Sequence, residues 1–179
     1  TMGLTAVCTL TARPLNVVFI AIDDLNTDLG CYGHDQVQTP NMDRLAEMGV
    51  QFNNAYCQQP LCGPSRVSVM SGLRPNTTDC LSLGDNIRNK RPDTLTLGQF
   101  FQDKGYYVGR VGKIYHYGNP NQIGTNGNDD KLSWQERFNP QGIDSLREDE
   151  IIRYPGGKKG NPDKKEKLGI SMAWWDPVS

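Results

Sequence analysis

Several things are scarce in this sequence, and each scarcity excludes a class of protein. Lysine and arginine total 19 and aspartate and glutamate 20, giving a net charge of −1. That balance excludes a strongly basic nucleic-acid binder and a long acidic tail. No apolar run approaches the roughly 20 residues that a membrane-spanning helix needs. Histidine occurs only at His34 and His116. The cysteines, Cys8, Cys31, Cys57, Cys62 and Cys80, form no C-x-x-C pair, which argues against zinc ribbons and thioredoxin-like motifs. Their odd number points to at least one cysteine with a separate task. A length of 179 residues fits one compact domain and not two large ones. Glycine and proline are plentiful, at 19 and 11. With a mean hydropathy of −0.59, the chain is expected to be loop-rich with a modest core.

The chain begins at Thr1 rather than methionine and stops at Ser179, and both ends read as cut. Residues 1–13 are expected to be a signal-peptide remnant or a disordered terminus. Cys8 is not a convincing lipoprotein cysteine, because Val7 stands where a small residue is wanted.

Asn16–Ile22 (NVVFIAI) is a short continuous apolar run rich in β-branched residues, ending in Asp23-Asp24. It predicts a buried central strand of an α/β sheet, and the C-terminal ends of such strands are where ligands bind. Thr39-Pro40-Asn41 opens a helix that carries Met42, Leu45 and Met48 on one face and ends at Gly49. Val50–Cys57 alternates enough to predict another strand. Cys62–Met70 predicts a helix, stopped by Gly72 and Pro75. Ser82–Asp93 reads as polar loop. Thr94–Lys104 predicts a helix with Gly105 as its cap, and Tyr106–Val111 a strand leading into Gly112-Lys113. Asn119–Asp130 and the locally basic Gly156–Lys167 read as loops, the latter solvated rather than polyanion-binding.

Three clusters carry chemistry. Asp23-Asp24, at a strand end, suits a hard divalent cation bound through oxygen, or else is a pair of solvent-facing acids. In Cys62-Gly63-Pro64-Ser65-Arg66 a cysteine opens a helix, where the macrodipole favours its thiolate, and an arginine follows one turn later. The alternative is a buried structural thiol. Lys113 and His116 follow a strand, Lys as a point-charge donor to an oxyanion and His as a proton carrier. The alternative is a partly exposed turn histidine. Together the clusters meet the needs of sulfuryl or phosphoryl transfer.

Cys62-Gly63-Pro64-Ser65-Arg66 with Met70-Ser71-Gly72 resembles the C-x-P-S-R-x-x-x-[LM]-[ST]-G signature of type I sulfatases at every specified position. Asp23-Asp24, Thr39-Pro40-Asn41 with Asp43 and Leu45, and Gly112-Lys113 resemble the same family in the same order, over about Pro14 to His116. Many arylsulfatases place one residue between this Lys and His, whereas Ile114 and Tyr115 both stand between them here. With Leu29–Gly33 (LGCYG) and Gln58–Cys62 (QQPLC), that spacing resembles the iduronate-2-sulfatase branch.

The resemblance implies an α/β fold: an alkaline-phosphatase-like mixed sheet flanked by helices, present as its N-terminal part, with residues 14–179 belonging to the catalytic domain. It implies a sulfuric ester hydrolase acting on a sulfated sugar or glycan. Cys62 would be matured by a formylglycine-generating enzyme, and the hydrated aldehyde would be the nucleophile. Asp23, Asp24 and the modified Cys62 would ligate calcium. Arg66 would stabilise the hydrate, Lys113 would hold formylglycine or sulfate oxygens, and His116 would take a proton as the sulfated intermediate collapses. No nucleic acid and no membrane span enter this picture, and export is implied, whether secreted, periplasmic or lysosome-like.

The family's further metal ligands, second sulfate-binding Lys and leaving-group His have no match in the 179 residues, and His34 reads as a loop residue. The chain alone is therefore expected to be inactive. The other readings are a phosphomonoester or phosphonate hydrolase of the same fold, and a redox or thiol-binding role for Cys62.

Overall fold

The computed structural model describes residues 14–118 and 122–142. The Thr1–Ala12 segment with Cys8, residues 119–121 of the Asn119–Asp130 loop, and the Gly156–Lys167 loop lie outside the described residues. The chain forms two compact units, one up to Val50 and one from Gln51.

In the first unit, helix α1 spans Pro40–Met48, with Pro40 in its first turn. Proline suits that position because its missing N–H would find no helical partner there. A 3-10 turn, Gly30–Tyr32, is tied to α1 through side chains. Thr39 Oγ1 accepts the Gly30 N–H at 2.8 Å and donates to Asp43 Oδ1 at 2.9 Å, while Asp43 Oδ1 also accepts the Cys31 N–H at 2.7 Å. His34 is the loop residue expected: its Nδ1 accepts the N–H groups of Gln36 and Val37.

The expected strand over Asn16–Ile22 is not formed. Residues 16–22 carry no ladder and all are exposed. A continuous apolar strand is stable only when paired at its edges and covered on both faces, and no described element does this. The expected apolar face of α1 is also solvent-facing at Leu45 and Met48.

The strand expected over Val50–Cys57 is likewise absent, replaced by bends with exposed side chains. In the second unit helix α2, Cys62–Ser71, forms as expected and closes on Gly72 at φ +68, whose N–H donates to the Ser68 carbonyl at 2.8 Å. Only glycine takes that conformation without a steric cost. Pro75 stops α2 and opens the short α3, Pro75–Thr78. Within the stretch read as polar loop, Asn86 caps a further short helix, α4, Ile87–Lys90, by accepting the Arg88 N–H at 2.8 Å. Helix α5, Leu97–Asp103, starts in a capping box in which Thr96 and Gln99 each accept the other's backbone N–H. Strand β1 is shorter than expected, Gly109–Val111 rather than Tyr106–Val111. It pairs in parallel with β2, Glu136–Phe138, which has no expected counterpart, in the register Arg110 opposite Arg137.

The core of this unit is small. Val67 and Met70 of α2 meet Cys80, Ile87 and Tyr115, with Ile114 and Trp134 packed against them. Next to it lie two buried ion pairs made by adjacent acids. Asp130, fully buried, accepts from Arg88 Nε at 2.8 Å and Nη2 at 2.7 Å, and from Ser133 Oγ at 2.6 Å. Asp129 accepts from Arg110 Nε at 2.8 Å and Nη2 at 2.6 Å, and from Trp134 Nε1 at 3.0 Å. Arg88 also donates to the carbonyls of Pro92 and Thr94 and to Gln99, tying α4 to α5.

Burial works to raise the Asp130 carboxyl's pKa, but hydrogen bonds from Arg88, Ser133 and the Leu132 N–H prevail and hold it below its ordinary value. Backbone N–H groups of Ser82 and Leu81 act the same way on Asp85. A carboxyl with a depressed folded pKa stabilises the fold above its unfolded value, here 3.8, and the contribution is lost as pH falls through the folded value. The thermal midpoint followed by circular dichroism should therefore hold level between about pH 7 and pH 5 and fall below about pH 4. A midpoint that rises on acidification contradicts this account.

Candidate active site

Asp23 and Asp24 sit together at a turn of the first unit, both exposed. Asp24 has φ 55, in the left-handed region that a non-glycine residue seldom enters. Two adjacent carboxylates at an open turn form a hard oxygen donor set, which fits calcium and not a soft metal.

The other expected site residues belong to the second unit. Cys62 is the first residue of α2, half-buried, with a free thiol. The residue before it, Leu61, gives the helix end no side-chain cap, and the positive end of the helix dipole lies at Cys62. Cys62 and Arg66 are four residues apart on this helix and share a face. The helix end is also set by a close approach. A Cβ at residue 63 would stand 2.9 Å from the Ser82 carbonyl oxygen and 3.1 Å from Leu83 Cα. Glycine there lets the Ser82-Leu83 backbone lie against the residue next to Cys62.

Arg66 reaches from α2 to the chain after β1. Its Nη1 donates to the Lys113 carbonyl at 3.0 Å and the Ile114 carbonyl at 2.9 Å. The structure thereby brings the Cys62–Arg66 segment and the Lys113–His116 segment together. Lys113 Nζ lies 5.7 Å from the centre of the Tyr117 ring, an attraction of about 0.5–1 kcal/mol at a partly exposed site. His116 is half-buried, and its carbonyl accepts the Asn128 N–H at 3.0 Å. Between them Tyr115 turns inward, and its hydroxyl meets Ser133 Oγ at 3.2 Å. Burial pushes its phenol well above the usual range, so the hydroxyl stays protonated where the ring packs in the core.

Sequence reasoning missed Arg110, Asp129 and Asn128 around this segment. Arg110 Nη1 donates to the Gly112 carbonyl at 2.8 Å, one residue before Lys113. The signal available was Asn128-Asp129-Asp130 itself, a polar run followed by Ser133-Trp134.

Two measurements check this description. Gly63→Ala should lower stability by about 1–3 kcal/mol through overpacking against Ser82 and Leu83, read as a shift in the urea midpoint. Among the cysteines of the described residues, alkylation at mildly alkaline pH should modify exposed Cys57 first and Cys80 last. Cys80 is fully buried, and that burial raises its thiol pKa. Labelling of Cys80 ahead of Cys57 would contradict the packing.

Comparison with known proteins agrees with the motifs. The family model described as Sulfatase matches residues 15–159. The chain is 42% identical over 125 residues to the iduronate 2-sulfatase of Homo sapiens, an alignment covering 69% of this chain and 22% of that protein. It is 43% identical over 108 residues to a sulfatase of Formosa agariphila, covering 56% of this chain and 21% of that one. It is 39% identical over 111 residues to arylsulfatase A of Homo sapiens, covering 60% and 22%. The chain thus spans about a fifth of the length of the curated relatives it matches.

Proposed function

The chain belongs to the sulfatase family, and we propose on that footing that the protein hydrolyses a sulfate ester, with a sulfated sugar or glycan as the substrate class. The observation that carries the reading is the complete Cys62–Gly72 motif, formed as one helix whose Arg66 is bonded to the backbone of Lys113 and Ile114. Names of relatives support the substrate class, including an N-acetylglucosamine-6-O-sulfatase and an N-acetylgalactosamine-6-O-sulfatase of Bacteroides thetaiotaomicron. The α/β class agrees with the described helices and parallel strand pair. Residues 14–179 are proposed as the N-terminal part of the catalytic domain.

In this reading Asp23, Asp24 and residue 62 would hold calcium. Bound there, calcium would compensate charge on sulfate oxygens, and Cys62 matured to formylglycine would supply a hydrated aldehyde as nucleophile. The chain's own residues do the rest. The N-terminal end of α2 favours the anionic ester near residue 62. Lys113 binds sulfate oxygens as a point charge, its ammonium lying near the face of the Tyr117 ring. Arg66 serves the site in two directions, toward residue 62 on its own helix face and toward the Lys113 loop through Nη1. His116 takes the proton released from the hydroxyl at residue 62. The partners are the sulfated carbohydrate and the maturation enzyme that converts Cys62. Among the described residues no helix is long and apolar enough to cross a membrane. An exported location, secreted, periplasmic or lysosome-like, belongs to the same reading.

The test uses the full-length gene product. Mass spectrometry of the Cys62 peptide should show loss of the sulfur, and Cys62→Ala should abolish sulfate-ester hydrolysis. Parallel assays on sulfate and phosphate esters should favour sulfate. Faster phosphate turnover would replace this reading with a phosphoester hydrolase, and an unmodified Cys62 in active protein would remove the proposed nucleophile.

A further inference from the structure

Lys113 and His116 lie on a stretch without regular secondary structure, so something other than a ladder must fix their backbone. The carbonyls of this stretch show what does. Those of Lys113 and Ile114 accept from Arg66, and that of His116 accepts the Asn128 N–H. At its start the Gly112 carbonyl accepts from Arg110 Nη1 at 2.8 Å, while the Gly112 N–H donates to Phe138 at 2.9 Å.

Arg110 is the hub of these contacts. It is buried on β1, and its guanidinium has five N–H groups in a fixed fork. Nε donates to Asp129 Oδ2, and Nη2 to Asp129 Oδ2 and, at 3.1 Å, to Asn126 Oδ1. Nη1 donates to Gly112 and, at 2.8 Å, to Asn139 Oδ1. Every donor has a partner, and those partners sit on both sides of the site segment. Asp129 in turn follows Asn128, whose N–H holds His116, and its second oxygen is taken by Trp134 Nε1. One buried cation therefore fixes the entry of the segment at Gly112 and, through Asp129 and Asn128, its exit at His116.

We propose that Arg110, paired with Asp129, is a positioning residue for Lys113 and His116, setting where the oxyanion-binding ammonium and the proton-accepting imidazole stand. The inference rests on the sulfatase reading for its catalytic consequence but not for its structural one. An ion pair needed only for packing would act on stability alone. A positioning pair acts on turnover at temperatures where the protein is fully folded.

The experiment compares Arg110→Lys and Asp129→Asn with Ile87→Val, a core control of lowered stability, all in the full-length gene product. Arg110→Lys keeps the charge but has three donors on a single atom and cannot span Gly112, Asn139 and Asp129 together. Well below the melting temperature, kcat on a sulfate ester should fall on the order of 100-fold in Arg110→Lys, because small misplacements of reacting groups cost about that much. KM should change less than about threefold, and Ile87→Val should keep its kcat. Amide hydrogen exchange should quicken at residues 112–118 in Arg110→Lys while α2 and α5 stay protected. Unchanged kcat in a folded Arg110→Lys protein, or exchange that quickens equally across the second unit, would overturn the proposal. Should the unaltered protein hydrolyse no sulfate ester, the functional reading fails, and the exchange pattern alone still decides whether Arg110 fixes this segment.

Discussion

Two adjacent carboxylates, Asp129 and Asp130, organise the second unit from inside. They point to different arginines, Arg110 on β1 and Arg88 on α4. A buried ion pair gains over solvation only when its geometry is good and every remaining donor and acceptor is satisfied. Both pairs meet that condition through bonds to Trp134, Ser133, Asn126, Asn139 and backbone carbonyls. The apolar core beside them is small and short of aliphatic side chains, so the arrangement of α4, α5 and the strand pair leans on these polar contacts. Removing one member would leave its partner buried and charged, at a cost of about 3–5 kcal/mol.

The helices around the candidate site were legible because their signals are local. Pro64, Arg66 and Gly72 mark one helix by near-neighbour rules, and that helix forms with the expected end at Gly72. Thr39-Pro40 announced α1 in the same way. The Arg88–Asp130 pair, 42 residues apart in sequence, and the Arg110–Asp129 pair, 19 apart, left no such mark. A lone arginine in a strand and two acids in a glycine-rich loop look like solvated surface until the chain is folded. The strand β2 was missed for a related reason. Its three residues, Glu136–Phe138, carry no apolar run and exist through pairing with β1.

The reverse error is as informative. Asn16–Ile22 has the composition of a central strand yet forms none, and Val50–Cys57 alternates without becoming one. Composition reports what a segment would do when covered, whereas a ladder needs a partner edge. Local helix signals carry their own hydrogen bonds and so survive without that partner. The helices of the expected α/β pattern are therefore better realised among the described residues than its strands.

The two bonds from Arg66 Nη1 to consecutive carbonyls bear on the spacing between Lys113 and His116. Along a β-strand, neighbouring carbonyls point to opposite sides, and one added residue turns every following side chain to the other face. Carbonyls 113 and 114 both reach a single nitrogen, so the alternation has already ended there. The Lys-x-x-His interval is thus released from the two-residue rhythm of the strand, and hydrogen bonds from Arg66 rather than a ladder set the backbone that carries it.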